Sequence, residues 1–122
     1  MKRLFPFVGL LILASCTTEP VDPTADLPVI SYQTDISPII SANCALASGC
    51  HGGNSEEFLL LSYDDVIKHC EVTPGKPHDS ELYRVIRLFG GEKAMPPKPN
   101  VPLTDEQIGT IYLWILQGAK NN

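Results

Sequence analysis

The chain has 122 residues, with 14 acidic against nine basic side chains and a formal net charge of −5. That length holds one domain and little else. The acidic balance argues against a nucleic-acid partner, because affinity for phosphate rests on Lys and Arg that release counterions, and it suits a partner that presents a positive face.

Met1-Lys2-Arg3 is a short basic start, and Leu4 to Ala14 is an apolar run with one Pro that ends in Leu13-Ala14-Ser15-Cys16. The run is too short to span a bilayer and has the basic, apolar, small-residue order of a secretory signal. Its last four residues resemble the lipobox of bacterial lipoproteins. That resemblance implies a signal peptide over residues 1–15 and lipidation of Cys16. The expectation is an exported protein, lipid-anchored to a membrane and facing the periplasm or the cell exterior. Loss of Lys2 and Arg3 with the signal leaves seven basic against 14 acidic side chains, a formal charge of −7. Thr17 to Pro28 is rich in Pro and acidic residues with no apolar period, which reads as a disordered tether over residues 16–28. The folded domain is expected over residues 29–122.

Within that domain the apolar spacing predicts helices only, so the fold class expected is all-α. Thr34 or Asp35 can cap a first helix with Ile36, Ile39 and Ile40 at helical spacing, ending near Asn43. Pro38 fits its first turn. The apolar run Phe58-Leu59-Leu60-Leu61 should pack inward, and Ser62 to Asp65 then opens a second helix through His69, with Val66 and Ile67 facing the core. A turn cluster at Thr73 to Pro77 leads to a third helix capped by Asp79 or Ser80, with Leu82, Val85, Ile86 and Phe89 on one face and Gly90-Gly91 as its stop. Thr104 and Gln107 form a capping box for a last helix that carries Ile108, Ile111, Tyr112, Ile115 and Leu116 inward and closes at Gly118. Trp114 on that helix can cover a cofactor edge or pack on the first helix.

Chemistry concentrates in Asn43 to Gly53. Cys50 is followed at once by His51, and Cys44 lies upstream. Thiols that add to haem vinyl groups, with an adjacent imidazole as axial ligand, need those residue types in that order. Here five residues separate the cysteines where the usual motif has two. Gly49, Gly52 and Gly53 bracket the pair, as a backbone bent closely around a planar ligand requires, or as an ordinary surface loop would. Export leaves free thiols open to oxidation. Two arrangements of Cys44, Cys50 and Cys70 follow: Cys44 and Cys50 both anchor haem and Cys70 is free, or Cys50 anchors it alone while Cys44 and Cys70 pair as a disulfide. Apart from Met1, Met95 is the only Met, and Pro96 and Pro97 hold the chain extended beside it. A thioether is a soft ligand that suits haem iron, and Met opposite His raises the reduction potential. His69, near a helix end, and His78, before a cap, need no metal to explain them.

Taken together, Cys44 to Gly52, Thr73 to Ile86, Met95-Pro96-Pro97 and Leu103 to Ala119 resemble small bacterial c-type cytochrome domains, most closely a lipoprotein subgroup with widened Cys-to-Cys-His spacing. The resemblance runs from about residue 30 to the end of the chain. It implies a cytochrome c-like helical domain wrapped around one covalent haem c, with the N- and C-terminal helices crossing. Cys50 is then a thioether anchor, His51 the proximal ligand, Met95 the distal ligand and Cys44 the second anchor, or else the disulfide partner of Cys70. The implied role is that of an electron carrier and not an enzyme, with a cytochrome, an oxidase or a membrane dehydrogenase as redox partner; haem catalysis or gas sensing is a third reading, which requires an open iron position. A different reading of the same residues is a structural zinc site built from Cys44, Cys50, His51 and Cys70. No catalytic triad, carboxylate pair or phosphate-cradling loop marks an enzyme.

Overall fold

The computed structural model describes residues 24–46, 50–53, 57–88 and 90–122. Among them every regular element is helical, in agreement with the all-α expectation. The expected signal peptide and Cys16, the expected lipidation site, lie outside the described residues. No helix among the described residues is long and apolar enough to cross a membrane.

The first helical segment opens with a widened turn, Tyr32–Ile36, and continues directly into α1, Ser37–Asn43. Pro38 accounts for the change of winding. In a regular helix its ring would press on the carbonyl four residues back and offer it no N–H. Bonds reaching five residues back, from Ile36 N–H to Ser31 O and from Ser37 N–H to Tyr32 O, carry the chain up to it instead. The cap is Ser31, not Thr34 or Asp35. Ser31 Oγ accepts from the Thr34 N–H at 3.3 Å, and the Asp35 carboxylate accepts from the Ser31 N–H at 2.7 Å. The widened turn thus starts earlier than the apolar spacing of Ile36, Ile39 and Ile40 suggests.

Helix α2, Tyr63–His69, starts on the reciprocal box of Ser62 and Asp65 that its sequence predicts. Val66 is fully buried and Ile67 partly so. A short turn, Pro77–Asp79, precedes α3, Glu81–Ile86. Ser80 stands at the cap position of α3, but its hydroxyl points elsewhere. Completely buried, it accepts from the Thr73 N–H at 2.9 Å and donates to Lys76 O at 3.0 Å, tying the preceding turn together. Helix α3 ends at Ile86; Phe89, expected on its apolar face, lies outside the described residues. Helix α4, Asp105–Leu116, is capped by Thr104 and Gln107 as its sequence predicts, and Gly118 leaves it at a φ of +100°, where a side chain would be strained.

Helix α4 packs against the Tyr32–Ile36 turn and against α3. Its Ile111, Trp114 and Ile115 are buried with Ile36, Ile40, Val66, Leu82 and Ile86. The Trp114 ring lies 5.7 Å from that of Tyr32 and 6.3 Å from that of Tyr63, so Trp114 belongs to the contact with the first helical segment. The Gln117 side chain bridges Pro28 O and the Ile30 N–H at 2.8 and 2.9 Å, and Asn122 Oδ1 accepts from the Tyr32 N–H at 3.1 Å. The chain from Pro28 onward is thereby clamped to the segment after α4, while Ala25 to Leu27 are exposed around a turn.

Candidate functional site

Cys44 caps the C-terminus of α1, its N–H donating to Ile40 O. The chain then loops and returns, because the His51 N–H donates to Cys44 O at 3.0 Å and the Leu60 N–H donates to His51 O at 2.9 Å. The first bond ties the two ends of the gap between the cysteines together, and the second brings the chain back to His51 from Leu60. Gly52 makes the return possible. A Cβ there would lie 2.4 Å from Leu46 O and 2.8 Å from Ala45 O, both rigid backbone atoms. At Gly53 a Cβ would meet only open space, so that glycine is an ordinary loop residue; Gly49 lies outside the described residues.

A cavity of about 340 Å³ opens where this loop meets α2, α3 and the loop after α3. Its size falls in the range of roughly 300–1,000 Å³ typical of small-molecule sites. Cys44, Cys50, His51, Cys70 and Met95 all line it, with Leu60, Leu82, Val85 and Ile86 as apolar wall. Residues spread from 44 to 97 in the sequence therefore meet in one space, and the widened gap does not remove Cys44 from it.

The orientation of His51 is defined. Its Nδ1 lies 2.9 Å from Phe58 O. A carbonyl oxygen only accepts, so Nδ1 carries a proton, and in the neutral ring the lone pair is on Nε2, for which no hydrogen bond is seen among the described residues. An imidazole ready to ligate a metal has this arrangement, with the second nitrogen held by an outer acceptor. Met95 stands at the rim, 38% exposed. Its loop is not simply extended, as the prolines suggest. Successive turns fold it, with the Ala94 N–H donating to Gly91 O and the Asn100 N–H to Pro97 O, both at 3.0 Å.

All three described cysteines are free thiols. Burial pushes the Cys44 thiol up to about 11, with the neighbouring Cys50 adding to it. Burial likewise pushes Cys70 up to about 12, with Cys44 adding to it. Cys50 acts on Cys44 and Cys44 acts on Cys70, and at neutral pH Cys44 and Cys70 are uncharged members of an apolar wall. Neither remaining histidine lines the cavity. His69 stacks on Phe58 at the end of α2, and His78 lies against the rings of Tyr83 and Tyr112 at 5.5 and 5.8 Å. No group of three or more His, Cys, Asp or Glu side chains is arranged to hold a metal ion among the described residues.

Sequence reasoning grouped Cys70 with Cys44 but did not find the acceptor on Phe58 or the part of Leu82, Val85 and Ile86 as the cavity wall. The stripe Leu82, Val85, Ile86 was a usable signal for an apolar surface, though not for which surface it faces. Comparisons of the chain with family models, with curated proteins and with solved structures find no match.

Proposed function

We propose that the cavity holds one c-type haem in a cytochrome c-like domain that carries electrons. Cys50 anchors it, Cys44 is the second anchor, and His51 and Met95 are the axial ligands. The observation that carries this reading is the meeting of Cys44, Cys50, His51 and Met95 in a single apolar cavity. The donor set fits the group: two thiols for two vinyls, an imidazole with Nε2 uncommitted, and a thioether. Each anchor forms by adding S–H across a vinyl C=C, sulfur to one carbon and hydrogen to the other, with no atom lost.

When bound, haem iron supplies a one-electron change of oxidation state. The chain does the rest. Phe58 O holds the His51 proton away from the ligating nitrogen, and Leu60, Leu82, Val85 and Ile86 exclude water, which favours the less charged reduced state. Were His51 and Met95 both to hold the iron, no position would be left for a substrate, which suits a carrier. The acidic domain, exported and lipid-anchored through Cys16, would exchange electrons with a cytochrome, oxidase or membrane dehydrogenase that presents basic residues. The zinc reading needs Cys44, Cys50, His51 and Cys70 to converge tetrahedrally, and the described residues contain no such cluster.

The test is secretion of the full chain from a host competent in cytochrome maturation. A Soret band that survives acid–acetone extraction, and a mass increase of one haem on a peptide containing Cys50, are expected. Colourless protein of unmodified mass overturns the reading.

A further inference from the structure

His51, Phe58 and His69 form one continuous stack of three rings. The His51 and Phe58 centroids are 4.4 Å apart with planes 20° from parallel, and those of Phe58 and His69 are 5.1 Å apart with planes 9° from parallel. Phe58 touches His51 twice, through its ring face and through the carbonyl that accepts from Nδ1. The hydrogen bond fixes where Nδ1 points but leaves the imidazole free to swing about that line. A flat ring against its face removes the freedom. Phe58 itself sits half-exposed on a loop and needs backing, which His69 supplies from the last turn of α2. That helix is held at its other end by the box of Ser62 and Asp65, and Cys70, next to His69, lines the cavity.

We propose that His69 is a positioning residue, which through Phe58 sets the plane of the His51 imidazole. This rests on the haem reading above. The orientation of an axial imidazole plane over a porphyrin decides which iron d orbital holds the unpaired electron of the ferric state, so it leaves a spectroscopic signature that a purely structural residue does not. Stacked ring contacts restrain geometry at modest energy, and outer residues that orient a ligand tune the metal. His69 acts as a flat ring here, neither as an iron ligand nor through its charge.

The experiment compares ferric holoprotein of wild type, His69→Ala, His69→Phe and Phe58→Leu by the proton resonances of the haem methyl groups and by the g values of the low-spin signal. His69→Ala and Phe58→Leu are expected to shift the methyl resonances relative to one another and to move the largest g value, whereas His69→Phe keeps the wild-type pattern. Phe58→Leu retains the carbonyl acceptor, so it decides the matter should His69→Ala fail to fold. Wild-type spectra for the ring-deleting variants, or a His69→Phe spectrum as disturbed as that of His69→Ala, overturn this proposal alone. Material without covalent porphyrin overturns it together with the haem reading.

Discussion

The Met95 N–H donates to the carbonyl of Val85 at 3.1 Å. This bond hangs the Pro-rich loop from the end of α3, and since the side chains of both residues line the cavity, helix, loop and proposed ligand are tied at one point. The tether is a backbone bond, independent of the Met95 side chain.

Met95→Ala should therefore keep the loop in place and remove only the thioether. On the haem reading, the group should stay covalently attached through Cys50 and the reduction potential should fall by on the order of 0.1 V, a modest part of the roughly 0.8 V over which axial ligands set haem potentials. A spectroelectrochemical titration checks this, and an unchanged potential would show that Met95 does not ligate.

The cavity also predicts a dependence of folding on the group that fills it. A domain of this size buries a modest core of its own, and the wall made by Leu60, Leu82, Val85 and Ile86 is apolar. A Cys50→Ala, His51→Ala form should melt lower than the holoprotein by on the order of 10 °C, given that 1 kcal/mol moves the midpoint of such a domain by about 4–8 °C. A haem-free protein with a sharp melt at the wild-type temperature contradicts it.

Gly52 and Gly53 make an internal control. Gly52→Ala forces a methyl to within 2.4 Å of Leu46 O and should cost about 1–3 kcal/mol, as overpacking does, with a lower yield of attached haem. Gly53→Ala points into open space and should stay within about 0.5 kcal/mol of wild type. Denaturant melts of the two, side by side, decide it.

Ser80→Ala removes a fully buried hydroxyl and leaves the Thr73 N–H and Lys76 O without it. Lys76 O keeps the Asp79 N–H as a donor, so a loss of about 1–2 kcal/mol is expected, chiefly for the Thr73 N–H left without its acceptor. An equilibrium unfolding curve measures it, and the haem spectrum should not change, because Ser80 does not line the cavity.

Asp65 gives the pH dependence. The Ser62 hydroxyl first, and then the N–H groups of Leu61 and Ser62, hold its carboxyl below the ordinary carboxylate range, with the charge of His69 adding. A lowered folded-state pKa means that the ionised form is favoured by folding. Its contribution is complete above the ordinary carboxylate pKa and is lost as pH falls through the lowered value. Asp65→Asn should therefore lower the melting temperature at neutral pH and flatten its decline in acid, read by melts between pH 7 and pH 3.

Part of the fold and of the site is legible in the amino-acid sequence alone. The boxes Ser62–Asp65 and Thr104–Gln107 are bonds between residues three apart, and such short-range geometry is written in the residue types themselves. The first helix shows where that ends: the apolar spacing of Ile36, Ile39 and Ile40 is real, yet the segment starts at Ser31 because Pro38 alters the winding, a competition between two local rules. Ser80 shows the other limit. Its type and place suit a cap, but Thr73, seven residues away, takes the hydroxyl.

The sequence by itself determined the helical class, the two capping boxes of α2 and α4 and the adjacent pair Cys50-His51, because each depends on neighbours within a turn or two. Only the tertiary structure decided that Cys44, Cys70 and Met95 share a cavity with that pair, that Phe58 O orients His51, and that Trp114 packs on Tyr32. Those outcomes depend on how apolar faces far apart in the chain are buried together, and burial is a property of the whole packed molecule.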